Sequence, residues 1–133
     1  MSQPIKTLIV DDSPNDTELV VRELYRAGFD PHWLRVETEA DYIANLSPDL
    51  DLILSGYAMP HFSGLRALAL LKRSGLKIPF IVVSGTIGEE TAVPAMQQGA
   101  ADYLLKDRIG RLGPAVYRAM NEIKECTERR QPC

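Results

Sequence analysis

Four polar residues stand at the ends of short apolar runs in this chain, and their side chains are those that metal and phosphoryl chemistry needs. Asp11 and Asp12 follow the first of these runs, Ser84 ends the fourth, and Lys106 follows the fifth. Adjacent carboxylates supply the hard oxygen ligands that Mg²⁺ prefers. An ammonium group neutralises phosphoryl oxygens, and a hydroxyl donates a hydrogen bond to one of them. The set therefore indicates a magnesium and phosphoryl site, provided that the fold brings the four residues together.

Each of these residues also has an ordinary structural interpretation. The stretch 11–14, Asp-Asp-Ser-Pro, is a good helix start, Ser84-Gly85 is a turn, and 106–108 is typical of a solvated loop. Taken alone, each residue favours that interpretation. The functional hypothesis requires that the four residues meet at one edge of the fold. The strands and helices that carry them must therefore be identified first.

Five short apolar runs of β type predict five strands. The first, third and fourth are unbroken rather than alternating, which indicates burial on both faces of a sheet. The predicted strands are Ile5–Val10, His32–Val36, Asp51–Ser55, Pro79–Ser84 and Asp102–Leu105.

Helix signals stand between these runs. Ser13 is a candidate cap, with Pro14 at the first helical position and Asp16 closing a capping box. Thr38 and Asp41 repeat the box before the second helix. These signals predict that each strand is followed by a helix.

The later helices are predicted by their ends and by one apolar stripe. Gly75 ends the third helix and Gly99 follows the fourth, while Pro94 falls inside the fourth and predicts that it is the weakest. The fifth helix carries its apolar stripe at Leu112, Val116, Met120 and Ile123.

Strict alternation of five strands and five helices predicts an α/β fold with a doubly wound parallel sheet. Five strands suit the flavodoxin-like order 2-1-3-4-5. In that order the switch point lies between strands 1 and 3, and a site forms at the carboxyl ends of the strands. Asp11, Ser84 and Lys106 stand at such ends. Because these residues lie together at the strand ends, the functional interpretation is favoured over the structural one.

Length and composition narrow the class of protein. The chain has 133 residues and a formal net charge of -3, and 45% of its residues are hydrophobic. One domain spanning 1–133 with no output domain is expected. The net charge provides no positive field that would attract nucleic acid. No apolar stretch is long enough for a membrane span, so a cytoplasmic protein is predicted. The chain lacks a phosphate-binding loop, a nucleophile elbow and Cys/His metal spacing, which argues against an enzyme.

Four stretches of the chain resemble the receiver domain of two-component response regulators. They are Leu8–Ser13, Asp51–Pro60 with Gly64 soon after, Ile81–Thr86 and Gly99–Asp107. The resemblance covers essentially the whole length. It implies metal ligands, a phosphoryl-binding pair and an aromatic switch residue. These would be Asp11, Asp12 and the carbonyl of Ala58 for Mg²⁺, Ser84 and Lys106 for the phosphoryl group, and Tyr103 for the switch.

One position departs from the family pattern. The resemblance implies a phosphate-accepting aspartate at the end of strand 3, where this chain has Gly56. Glycine has no attacking oxygen, so we expect no phosphorylation at the usual position and no catalytic residue. With only Asp11 and Asp12 left as acidic ligands, we expect weak Mg²⁺ binding, mostly through water. Lys106, without its usual partner, is expected to turn to Asp12 or Asp11.

Three nearby groups are candidate substitute acceptors. Ser55 is next to Gly56, but neighbouring residues of a strand point to opposite faces. Asp12 could accept phosphate at the loss of a metal ligand. His61 invites the idea of a phosphohistidine, although a loop histidine is typical of a polar surface.

The leading hypothesis is therefore a stand-alone, receiver-like signalling module that acts through protein contacts. Its expected partners are a histidine kinase or a downstream signalling protein, without nucleic acid or membrane. The resemblance implies that helix 4, strand 5 and helix 5 form a surface for a homodimer. Two alternatives stay open: a phosphotransfer intermediate of a histidine-to-aspartate relay with an unconventional acceptor, or an inactivated variant of an ordinary phosphorylatable regulator.

Overall fold

Five parallel strands form one sheet in the order β2-β1-β3-β4-β5. The computed structural model describes residues 3–57, 62–85 and 89–128. The predicted flavodoxin-like topology is confirmed. The strands are β1 (Gln3–Val10), β2 (Phe29–Val36), β3 (Leu52–Ser55), β4 (Phe80–Ser84) and β5 (Asp102–Leu105).

A helix follows each strand, as the alternation predicts. The helices are α1 (Pro14–Arg26), α2 (Glu39–Asn45), α3 (Gly64–Ser74), α4 (Glu89–Gln97) and α5 (Leu112–Glu128), and a 3-10 segment at Lys106–Arg111 leads into α5. Hydroxyl caps begin the first three helices. Ser13, Thr38 and Ser63 accept hydrogen bonds from the backbone N–H groups of Asp16, Asp41 and Arg66.

Two hydrophobic clusters cover the two faces of the sheet. Ile9 and Leu54 lie in the cluster beneath α1 and α5, whereas their neighbours Leu8 and Ile53 lie in the cluster beneath α2, α3 and α4. Successive side chains of a strand point to opposite faces. The unbroken apolar runs of β1 and β3 therefore report burial on both faces, which is why they predict a doubly wound sheet.

Helices α2 and α3 are joined by a buried tyrosine. The Tyr42 hydroxyl donates a 2.7 Å hydrogen bond to the carbonyl of Ala67 in α3. Its ring centroid lies 5.3 Å from that of Phe62. Burial raises the pKa of the Tyr42 hydroxyl, so the group stays protonated and remains a donor.

Strand β2 is longer than predicted, because Pro31 does not interrupt it. The carbonyls of Gly28 and Val36 accept hydrogen bonds from β1 and the residue after it. The backbone N–H and C=O groups of successive residues in a strand point to opposite sides. Those of even-numbered residues in β2 point to β1. The nitrogen of Pro31 therefore points to the side of β2 that has no neighbouring strand, the open edge of the sheet. A proline there costs no bond of the ladder. The predicted start at His32 is therefore wrong, and the strand begins at Phe29.

Helix α4 continues through its proline. Pro94 lies inside α4, as predicted, and the helix is closed at its far end by a 3.0 Å hydrogen bond from the N–H of Gln98 to the Pro94 carbonyl. Gly99 follows with φ of 103°, a conformation that favours glycine. Within the described ranges, no helix is both long and apolar enough to cross a membrane.

Candidate functional site

The ends of β1, β3, β4 and β5 lie side by side, because the strands are parallel and in register. Val10 pairs with Ser55, Ser55 with Val82, and Ser84 with Leu105. The residues that end or follow these strands therefore share one edge of the sheet. They are Asp11, Gly56, Ser84 and Lys106. Ala58 and His61 lie outside the described residues.

Asp11 is the buried acid of this edge, with 7% of its surface exposed. One of its carboxylate oxygens accepts a 3.0 Å hydrogen bond from the backbone N–H of Ser13. Burial raises the pKa of the Asp11 carboxyl, and the Ser13 hydrogen bond and the charge of Lys106 oppose that shift. Asp16 and Asp12 raise the pKa further. The edge thus concentrates negative charge that a cation would relieve.

The first turn of α1 uses its acids differently from the predicted capping box. Ser13 does accept from the N–H of Asp16, at 3.3 Å. The reciprocal bond to the Ser13 N–H comes from Asp11 and not from Asp16. The prediction that Asp16 closes the box is therefore wrong, and its carboxylate is available for another partner.

That partner is Lys106. The Lys106 ammonium donates to the Asp16 carboxylate, and both side chains are partly buried. The expected pairing of Lys106 with Asp12 or Asp11 is not the contact that forms, although the Lys106 charge does reach Asp11. Its side chain passes β4, since a Cβ built on Gly85 would lie 3.7 Å from the Lys106 Cδ.

Gly56 is held by its backbone at the end of β3. Its N–H donates a 2.8 Å hydrogen bond to the Val10 carbonyl. Its own carbonyl accepts a 2.8 Å hydrogen bond from the buried Ser55 hydroxyl, so that hydroxyl is already engaged. A Cβ on Gly64 would stand 2.3 Å from the same carbonyl. Only a glycine at 64 allows this close approach.

The remaining expected site residues lie on β4 and β5. Ser84 is buried at the end of β4. Tyr103 is half-buried on β5 and packs against the cluster beneath α2, α3 and α4. The structure thus brings Ser84 to the same edge as Lys106 and Asp11. It places Tyr103 on β5 beside Val82, so β4 lies between Tyr103 and Ser55.

The donor set at this edge fits a metal ion only in part. Asp11 and Asp12 offer adjacent carboxylates, and Asp12 is exposed to solvent. Gly56 adds no carboxylate, and no group of three potential metal-ligating side chains of the His, Cys, Asp or Glu type occurs in the part of the chain that the structure describes. Mg²⁺ demands six oxygen ligands and retains water readily. These residues suit a weakly held, largely hydrated ion.

Sequence reasoning missed two residues of this edge. The sequence predicts Asp16 as part of a capping box, although a third acid so soon after Asp11-Asp12 also suggests a charged partner. Arg35 donates a 3.2 Å hydrogen bond to the Asp11 carbonyl and pairs with Glu37. Its position near the end of β2 was the available signal.

Comparison with known proteins adds family information to this geometry. The family model described as the response regulator receiver domain matches residues 7–116. A putative response regulator NtrX-like of Rickettsia typhi is 36% identical over 110 residues, which are 80% of this chain and 22% of that protein. The chain spans between 22% and 45% of the length of the curated relatives that it matches first.

Solved structures share the fold. The signal receiver domain of a signal transduction histidine kinase from Syntrophus aciditrophicus is 28% identical with a TM-score of 0.72, covering 90% of this chain and 92% of that one. The Mn²⁺-bound form of response regulator Rcp1 is 25% identical with a TM-score of 0.68, covering 89% and 91%.

Proposed function

The chain belongs to the response regulator receiver domain family, and from this premise we propose that it is a receiver-like signalling module whose usual phosphoacceptor position holds Gly56. The observation that carries the proposal is the end of β3. There the N–H of Gly56 donates a hydrogen bond to the Val10 carbonyl, next to Asp11, and Gly56 has no side chain that could accept phosphate. The family's phosphoryl chemistry needs an attacking carboxylate oxygen. The module would therefore act through protein contacts and not as an enzyme.

A small phosphodonor tests this proposal directly. The natural chain and Gly56→Asp are incubated with acetyl phosphate and Mg²⁺ and then analysed by intact mass. We expect no added phosphoryl group on the natural chain and one on Gly56→Asp, because the Ser84 hydroxyl and the Lys106 ammonium stand at the same edge. The φ of Gly56 is not among the positive values of the described glycines, so an aspartate there meets no left-handed backbone.

A matched control separates a restored site from an added acid. Gly110→Asp introduces a carboxylate where a new Cβ would meet no atom within 4 Å, and it should gain no phosphoryl group. Phosphorylation of the natural chain would contradict the proposal. Mapping of that phosphate to the exposed Asp12 would instead support the phosphotransfer alternative with an unconventional acceptor.

We propose a histidine kinase or a downstream signalling protein as the partner. A structural relative is itself the receiver domain of a signal transduction histidine kinase, which supports contact with that class of protein. The net charge of -3 gives this chain no electrostatic attraction to nucleic acid. We also propose a cytoplasmic location for the module, and a pull-down from the source cell would identify the partner.

We also propose that α4, β5 and α5 form the surface of a homodimer. Val93 and Met96 of α4 are exposed apolar residues. Arg118 of α5 forms an ion pair with Asp102 of β5. Sedimentation velocity tests this: Met96→Glu should shift a dimer toward monomer. Ile43→Glu, which changes an equally exposed residue of α2, should not. A natural chain that stays monomeric at high concentration would contradict the dimer.

A further inference from the structure

The carboxylate of Asp16 has no capping role in α1, although its position in the first turn suggests one. The N–H of Ser13, which a capping box would give to Asp16, is taken by Asp11 at 3.0 Å. Asp16 therefore directs its carboxylate away from the helix cap. It meets an ammonium that lies 90 positions further along the chain.

The Lys106 side chain runs from the end of β5 past β4 toward α1. The stem passes next to Gly85, where a Cβ would stand 3.7 Å from the Lys106 Cδ in ordinary van der Waals contact. The side chain of Lys106 is 26% exposed and that of Asp16 is 33% exposed. A partly buried ammonium needs a nearby negative charge, because water only partly solvates it. Gly56 cannot supply that charge.

We propose that Asp16 is the permanent counter-ion of Lys106 and positions its ammonium at the edge of the sheet in place of the missing acceptor carboxylate. This inference rests on the proposed function, in which Gly56 occupies the acceptor position. Asp16 acts through Lys106 and is a positioning residue. The site then keeps one arrangement without a phosphoryl group.

This pair differs from the local ion pair on the surface of α1. Arg26 and Glu23 lie one turn apart on the same helix, and the Arg26 side chain is 75% exposed. Exposed pairs of that kind order their side chains little. The pair of Asp16 and Lys106 instead joins α1 to the end of β5 at the edge where Ser84 and Asp11 also stand. Its effect should therefore appear in the ordering of one particular lysine.

Side-chain NMR relaxation of the Lys106 terminal methylene group tests the proposal. In the natural chain its order parameter should exceed that of the exposed Lys6 by about 1.5-fold, a difference similar to that between rigid and flexible backbone. In Asp16→Asn it should fall to the Lys6 value. Asp16→Glu, which retains the charge, should restore part of the ordering. Equal mobility of Lys106 in the natural chain and in Asp16→Asn would overturn the proposal.

Glu18→Gln is the matched control, because it removes one negative charge from an exposed position of the same helix. It should leave the Lys106 order parameter unchanged, and an equal loss in this variant would also overturn the proposal. The result does not depend on phosphorylation. Phosphoryl transfer to the natural chain would refute the proposed function, whereas a mobile Lys106 in a chain that takes no phosphate would refute the counter-ion alone.

Discussion

The three acidic residues Asp11, Asp12 and Asp16 have different surroundings. Asp11 is buried and holds the Ser13 N–H. Asp16 pairs with Lys106. Asp12 faces solvent. The acidic character of the edge therefore conceals three roles, and single substitutions should separate them.

Restoring the acceptor carboxylate should reveal competition for Lys106. In Gly56→Asp the new carboxylate and Asp16 both attract the Lys106 ammonium. Phosphorylation should therefore be slower than in a variant where Asp16 does not compete. Adding Asp16→Asn to that variant should speed phosphorylation by acetyl phosphate about threefold, a change that a weak, partly exposed ion pair can cause. Time-resolved intact mass measures both rates. Adding Glu18→Gln to Gly56→Asp should give no such gain, and equal rates in all three variants would argue against competition.

Asp11→Asn should stabilise the protein at neutral pH. The raised pKa means that ionisation of Asp11 costs free energy in the folded state, so the natural chain loses this stability as pH rises from the ordinary value of 3.8 through the folded value. Asparagine still accepts from Ser13 but carries no charge. We expect a free energy of unfolding higher by about 1 kcal/mol at pH 7.

Urea unfolding of this variant at two pH values checks the sign of the effect. The advantage of Asp11→Asn should shrink at pH values below 3.8, where the carboxyl is protonated in both states. The exposed Asp12→Asn should change the stability less. A variant that is less stable than the natural chain at pH 7 would contradict the assigned cost.

Gly64→Ala should destabilise the end of β3. The new Cβ would stand 2.3 Å from the Gly56 carbonyl and 3.2 Å from the Tyr57 Cα, both backbone atoms that cannot turn aside. We expect a loss of about 2 kcal/mol or more in thermal or urea unfolding. Gly110→Ala places its Cβ in open space and should change the stability by less than about 0.5 kcal/mol.

The candidate site was predictable as far as the strand ends, and no further. Asp11, Ser84 and Lys106 follow apolar runs whose ends must meet in a parallel sheet. The partner of Lys106 was not predictable, because a long side chain can reach several acids. The choice of Asp16 depends on Asp11 having already taken the Ser13 N–H, which no spacing rule reveals.

At the scale of elements, α4 is the helix with an internal defect. Pro94 provides no N–H to the carbonyl of Glu90 and crowds that turn. The hydrogen bonds that follow it, from Gln98 to Pro94 and from Ala100 to Ala95, are both 3.0 Å. Both bonds lie on the carboxyl side of the proline, whereas the lost bond lies in the turn before it.

Pro94→Ala should strengthen α4 without changing the sheet. Proline costs about 3 kcal/mol inside a helix relative to alanine, so amide hydrogen exchange in α4 should slow by about tenfold or more. The amides of β1 and β3 serve as the internal reference and should keep their rates. Protection of α4 equal to that of α1 in the natural chain would show that the proline does not weaken the helix.

At the scale of the whole molecule, topology was easier to predict than the extent of its parts. Alternating strands and helices with unbroken apolar runs allow few arrangements other than a doubly wound sheet. Strand bounds were less certain because they depend on backbone direction. Pro31 reads as a break in any strand, yet β2 passes through it. Only its direction toward the open edge explains the difference.

The open edge of β2 has one further consequence. An exposed edge strand is a template on which another chain can add, and a proline without an N–H interrupts that template. Pro31→Val supplies an outward N–H, and we expect light scattering to show faster self-association. His32→Val is the control, because it adds apolar surface at a residue whose backbone groups already point to β1. It should associate more slowly than Pro31→Val. If Pro31→Val associates faster, a single imino acid at the free side of β2 limits the growth of the sheet beyond its five strands.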